Sequence, residues 1–199
     1  GKIKIMARLE NFLKYSKILD FPRFRQAFEW NCGSTAIDMV LAYAGHDVAE
    51  HKIMDEVAKY TKKGTEEGLR ESGVPIEGIK AVAKKYGLKF KEGTLSITDL
   101  KENVNKGWPT ILLVQAWSWS DNPDWKNEWD HGHYTVFIGY DNKKVYFADP
   151  ASAKTVYETE GGLMSRWHGW DDNDKKISRW GMTFMVSPKY SKDEVEEMT

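Results

Sequence analysis

Cysteine is almost missing from this chain: of 199 residues, Cys32 alone is one. An intramolecular disulfide is therefore impossible, and four-thiolate zinc sites are excluded. An excess of either charge is missing too, since 29 Lys and Arg face 30 Asp and Glu for a net charge of -1. A nucleic-acid surface needs a basic excess to displace phosphate counterions, so that partner class is set aside. No apolar run approaches the roughly 20 residues that a membrane-spanning helix requires. The opening GKIKIMARLE is too polar for a secretory signal. A cytoplasmic location is favoured on that ground, with secretion the alternative if a leader has been removed. Internal repeats and low-complexity linkers are also lacking. What remains is an ordinary globular mixture, 41% apolar and 30% charged, long enough for one domain with a real core. We read residues 1–199 as that single domain, with 1–25 as an irregular N-terminal arm.

The spacing of apolar residues changes along the chain. GSTAIDMVLAYA (33–44) reads as a mostly buried helix stopped by Gly45, with Asn31 as a candidate N-cap. Apolar residues at helical intervals predict further helices over 49–60 and 75–86, and over 97–104 with Ser96 as cap. The Gly- and Glu-rich stretch 64–73 reads as a loop with at most one turn. From Pro109 the period shortens. PTILLVQA (109–116) suits a buried strand, 133–140 and 145–148 suit a hairpin around DNKK, and 180–186 suits a closing strand. Helices first and strands later predict an α+β fold.

Several side chains suggest one chemistry. Cys32 follows the N-cap candidate, so its thiol would sit over unpaired backbone N–H groups at the positive end of a helix. Such sites favour the thiolate. A buried structural thiol is the plain alternative. Gln26 lies one short loop upstream in QAFEWNCG. Its amide and the Cys32 backbone N–H could supply the two donors that an acyl-transfer oxyanion needs. His133 opens one hairpin strand and Asp149 closes the other, and a carboxylate beside an imidazole fixes a catalytic base. Their parity conflicts: if Tyr140 faces Val145, Asp149 faces Val136 and points away from the His133 face. A bulge or an odd turn would remove the conflict.

The ordered run from Gln26 through CGSTAIDMVLAYAG, GIKAVAKKYGLKF, NKGWPTILLV and GHYTVFIGY to ADP resembles the double-glycine (bacteriocin-processing) cysteine peptidases, which are papain-like in fold. The resemblance implies helices of the N-terminal half packed on an antiparallel sheet from the C-terminal half. It implies Cys32 as nucleophile, His133 as base, Asp149 as orienting acid and Gln26 in the oxyanion hole. It implies a peptide or protein substrate and no cofactor. Asn31 departs from the aspartate common in that family before the nucleophile. The Trp-rich loop before His133 and the extension 151–199 lie outside the resemblance.

Other readings compete. His131 and His133 form H-x-H, a possible metal pair needing Asp130, His168 or Cys32 as a third ligand. Ligand spacing is otherwise absent, so we expect no metal. A non-catalytic peptide- or sugar-binding module on the same fold is one alternative, and a transglutaminase-like acyl transferase is another. For substrate contacts we expect Trp117, Trp119 and Trp129 to help form one cleft wall. Asp121, Asp124, Glu128 and Asp130 should make its rim negative. Gly33 and Gly132 should leave a slot for small residues. The pair Gly161-Gly162 reads as a loop hinge.

Overall fold

The structure, a computed structural model, describes residues 16–190 and residue 198. Most of the expected arm therefore lies outside the described residues. Helices α1 (Cys32–Tyr43), α2 (Glu50–Ala58), α3 (Glu66–Ser72), α4 (Ile76–Lys85) and α5 (Ile97–Asn105) precede most of the strands. A short helix α6 (Glu160–Arg166) comes late. Strands β1 (Lys17–Ile18), β2 (Phe90–Thr94), β3 (Thr110–Gln115), β4 (Gly132–Tyr140), β5 (Lys144–Asp149), β6 (Lys154–Thr159) and β9 (Trp180–Phe184) form one antiparallel sheet. Its order is β2-β9-β3-β4-β5-β6, with β1 added along the far end of β4. Strands β7 (His168–Trp170) and β8 (Lys176–Ser178) make a separate ribbon. This is the α+β arrangement expected from the period change.

Helix α1 is the pivot of the core. Ala36, Ile37, Met39, Val40 and Leu41 are fully buried, so the helix is enclosed on nearly every side. It ends where Gly45 turns to φ +91°, with the Gly45 and His46 N–H groups bonding back to Ala42 and Leu41. Only glycine adopts that turn without strain. Strand β3 is buried along its whole length, as a continuous apolar run between two neighbours should be.

Four readings from sequence are corrected. Residues 66–72 form a helix, because Leu69 is buried beneath it and supplies the apolar anchor that composition hid. Gly161 and Gly162 lie inside α6, where the Thr159 hydroxyl caps the Gly162 N–H. Asn31 does not cap α1. Its Oδ1 accepts the Phe28 N–H at 2.9 Å and its Nδ2 donates to Glu50 at 2.8 Å, so it braces the loop before the helix. Strands β2 and β6 went unseen because FKEGT and KTVYET carry only one or two apolar side chains each, too few to set up an apolar-polar alternation. Ser96 does cap α5, in a reciprocal box with Asp99.

Candidate active site

Three elements converge on one point. Cys32 is the first residue of α1, His133 the second of β4, and Asp149 the last of β5. Tyr140 pairs with Val145 and Gly139 with Tyr146, but Phe137 then pairs with Phe147 and Val136 with Ala148. Ile138 is therefore the extra residue of a β-bulge. Its carbonyl accepts the Leu19 N–H at 2.8 Å. A Cβ at Gly139 would stand 2.6 Å from the Lys17 carbonyl oxygen, so glycine is required where β1 closes over the bulge. Past the bulge Asp149 comes opposite Thr135, and so onto the His133 face.

The result is a buried ion-pair geometry. His133 Nε2 lies 2.6 Å from Asp149 Oδ1, with the two residues 6% and 2% exposed. That leaves Nδ1 of the ring as the nitrogen free to serve the Cys32 thiol. Cys32 is itself only 8% exposed. Burial alone would push its thiol up. The hydrogen bond and charge of His133 outweigh that, helped by the Tyr134 and Gly33 backbone N–H groups, and hold it below the ordinary value. Burial pulls the other way on His133. Its bonds to Asp149 and Cys32 prevail and raise it to about 10. Each group thus favours the charged form of the other, the thiol shifted toward thiolate and the ring toward imidazolium.

Gln26 stands on the loop before α1. Its N–H donates to the Pro150 carbonyl at 2.8 Å, which ties this loop to the end of β5. Its amide Nε2 donates to the Phe28 carbonyl at 2.7 Å and keeps a second N–H. Gln26 Oε1 is buried without a hydrogen-bond partner among the described residues.

Two cavities flank the pair. Cys32 lines a cleft of about 520 Å³ with Gly73, Val74, Trp129, Gly132 and Trp170. His133 and Asp149 line a separate cavity of about 310 Å³ with Trp117 and Trp125. The Trp-rich loop thus serves both sides. Trp129 packs 4.3 Å from the His168 ring and edge-on to Trp170, whose Nε1 donates to the Trp129 carbonyl. Trp119 is 89% exposed and lines neither cavity. Of the loop acids, Asp130 reaches the cleft, Asp124 holds Asn127, Glu128 pairs with His131 and Asp121 is exposed. A Cβ at Gly33 would meet Val74 and Tyr134 below 3 Å, so its missing side chain serves packing of α1. Gly132 has open space around it. The sequence reading missed Val74, Trp170 and Arg166. Only the second lies in a noticeable motif, WHGW.

His131 does not join His133. Its Nδ1 lies 2.9 Å from Glu128, and no cluster of three metal-ligating side chains occurs among the described residues.

A family model described as Peptidase_C39 like matches residues 18–171. The chain belongs to that family. An uncharacterized protein of Methanothermobacter thermautotrophicus is 25% identical over 152 residues, 76% of this chain and 87% of its own. The fold is that of solved C39 peptidase domains. A protein described as a C39-like peptidase from Bacillus anthracis superposes with a TM-score of 0.62 at 22% identity, over 87% of this chain and 99% of that one. The peptidase domain of Streptococcus ComA gives 0.59 at 18%, over 83% and 98%. A double-glycine motif protease from an AMS/PCAT transporter, solved with a leader peptide, gives 0.56 at 19%, over 85% and 94%.

Proposed function

We propose that this protein is a cysteine peptidase that hydrolyses peptide bonds through a thioester intermediate. The observation that carries the reading is the buried His133–Asp149 bond beside a thiol at the start of α1. Cys32 Sγ attacks the substrate carbonyl carbon, and the carbonyl electron pair moves onto oxygen. The Cys32 backbone N–H and the second N–H of Gln26 Nε2 receive that oxyanion. The C–N bond then breaks, and His133 gives its proton to the leaving amine. Water next attacks the thioester while His133 accepts its proton, which frees the acid and restores the thiolate. Asp149 holds the ring in the orientation that serves both steps. Membership of a peptidase family and the leader peptide held by one structural neighbour support a peptide substrate.

The test is to incubate the protein with a peptide library and follow new termini by mass spectrometry. Cleavage by the native chain but not by Cys32→Ala is expected. No cleavage by either, or cleavage that survives Cys32→Ala, overturns the proposal. Transfer of the acyl group to added amines in place of water would reassign the reaction to acyl transfer.

A further inference from the structure

We infer that the 310 Å³ cavity beside His133 is the subsite for the leaving half of the substrate and takes a large apolar side chain carried just after the cut bond. This rests on the peptidase reading above. Of these two cavities, Cys32 lines the larger and not the smaller, and His133 and Asp149 line the smaller and not the larger. The acyl half remains bonded to the Cys32 sulfur, so it belongs to the larger cleft. The leaving nitrogen must come to the His133 ring to collect its proton, and the chain it begins continues past that ring. The smaller cavity is what lies there.

Its walls define what fits. Val114, His133, Thr135, Phe147, Asp149 and Val156 stand on one face of neighbouring strands, and the Trp117–Trp125 loop and α6 close the sides. This lining is mostly apolar and aromatic. Polar residues interrupt it, among them Asp149 and Arg166, whose Oδ2 and Nε are buried without hydrogen-bond partners among the described residues. The Arg166 guanidinium is otherwise occupied, lying 4.1 Å over the Trp125 ring with Nη2 3.3 Å from Glu158. Buried polar atoms in native proteins are seldom left unpaired. A peptide unit offers a carbonyl to Arg166 and an N–H to Asp149, while an apolar side chain covers Trp117, Trp125 and Phe147. No free anion or cation satisfies both atoms and the apolar wall together.

The test separates this site from turnover. Cys32→Ala protein is titrated with phenylalanyl-alanine amide and with glycyl-glycine amide, and the Trp indole N–H signals are followed by NMR. The first amide should bind at least about 10-fold more tightly, the worth of a filled apolar pocket. Val156→Trp, which fills the cavity, should abolish that preference. Arg166→Met, which keeps bulk and removes the donor, should weaken it about 5-fold. Equal binding of the two amides, or a preference that Val156→Trp and Arg166→Met both leave untouched, overturns the assignment. In the native chain, cleavage that is indifferent to the residue after the cut also overturns it. Selective amide binding by a protein that cleaves nothing would sink the peptidase reading and the leaving-half role with it, while the cavity's choice of a large apolar side chain stood.

Discussion

His133 and Asp149 share a sheet face only because Ile138 is bulged out of the ladder between them. With unbroken pairing from Tyr140–Val145, Asp149 would oppose Val136, which alternates with His133. The bulge inverts that parity, and β1 secures it through the Leu19 bond to Ile138. The carboxylate's effect on the ring follows from this one inserted residue. Asp149→Ala should keep the fold and lower kcat/KM by about 10²–10⁴-fold, the range set by positioned proton transfer and by the carboxylate that orients a catalytic imidazole. Asp149→Asn, which can still accept the Nε2 proton, should lose less. Steady-state kinetics of both variants decide this, and equal losses would show that the negative charge, not orientation, is what His133 needs.

Cys32 should be alkylated by iodoacetamide well below the range of an ordinary thiol. Its pKa is lowered, so the thiolate persists as pH falls and disappears only below the lowered value. In His133→Ala burial is opposed only by the Tyr134 and Gly33 N–H groups, and labelling should move up toward pH ~8.5. Turnover in the native chain should decline as pH rises toward 10, where His133 gives up the proton the leaving amine requires. A labelling curve identical in both proteins would rule out the pairing.

Gln26→Ala should fold normally, because the amide's bond is local, to Phe28. Acylation should slow by about 10²–10³-fold, the cost of one oxyanion donor. Single-turnover measurement of acyl-enzyme formation reads this directly. An unchanged rate would leave the Cys32 backbone N–H without its proposed companion.

The helices and the hairpin were legible because burial imposes a period. Ile53, Val57, Ile79 and Val82 are all fully buried and spaced as a helix demands. The candidate site was legible in part through order along the chain, from Gln26 to Asp149. The bulge was not, since nothing in GHYTVFIGYDNKKVYFAD marks Ile138 as unpaired; Gly139 is a faint signal whose reason is the approach of β1. Arg166 and the smaller cavity were illegible for another reason. Their contacts span from Val114 to Arg166 and arise only when β6 and α6 fold back over the sheet.

Stability should fall as pH rises from about 4 to 7, on account of Asp38. Burial first, then the charges of Glu50 and Asp47, raise its carboxyl to about 7. Between its unfolded value and 7 the native state keeps a proton that the unfolded chain has lost. The native state then binds more protons, and stability declines with rising pH. Asp38→Asn should remove this slope and raise stability at pH 8 by roughly 1–2 kcal/mol, after discounting for partial solvation. Thermal unfolding of the two proteins across that pH range measures it. A parallel decline in both would place the effect elsewhere.

Charge in the larger cleft should select among substrates. Glu29, Asp130, Asp171, Asp172 and Asp174 line the cleft that Cys32 faces. Not all are uncommitted. Asp172 accepts the N–H groups of Ile76 and Glu77 at the start of α4, at 2.7 and 2.9 Å. Asp174 pairs with Lys62 at 3.1 Å, and Lys176 sits over the Trp129 and Trp170 rings. The two lysines leave an acidic surplus, which attracts the charge of a basic side chain. Peptides with Lys or Arg on the acyl side of the cut should therefore be cleaved several-fold faster than those with Asp or Glu. The preference should shrink with added salt, because exposed charges are screened over about 8 Å at physiological ionic strength. Asp130→Asn, at an exposed position that spares the α4 cap, should narrow the gap without altering cleavage of neutral peptides. Competition between paired peptides at two salt concentrations reads all three expectations. Faster cleavage of acidic peptides at low salt would show that the lysines, not the carboxylates, govern the cleft.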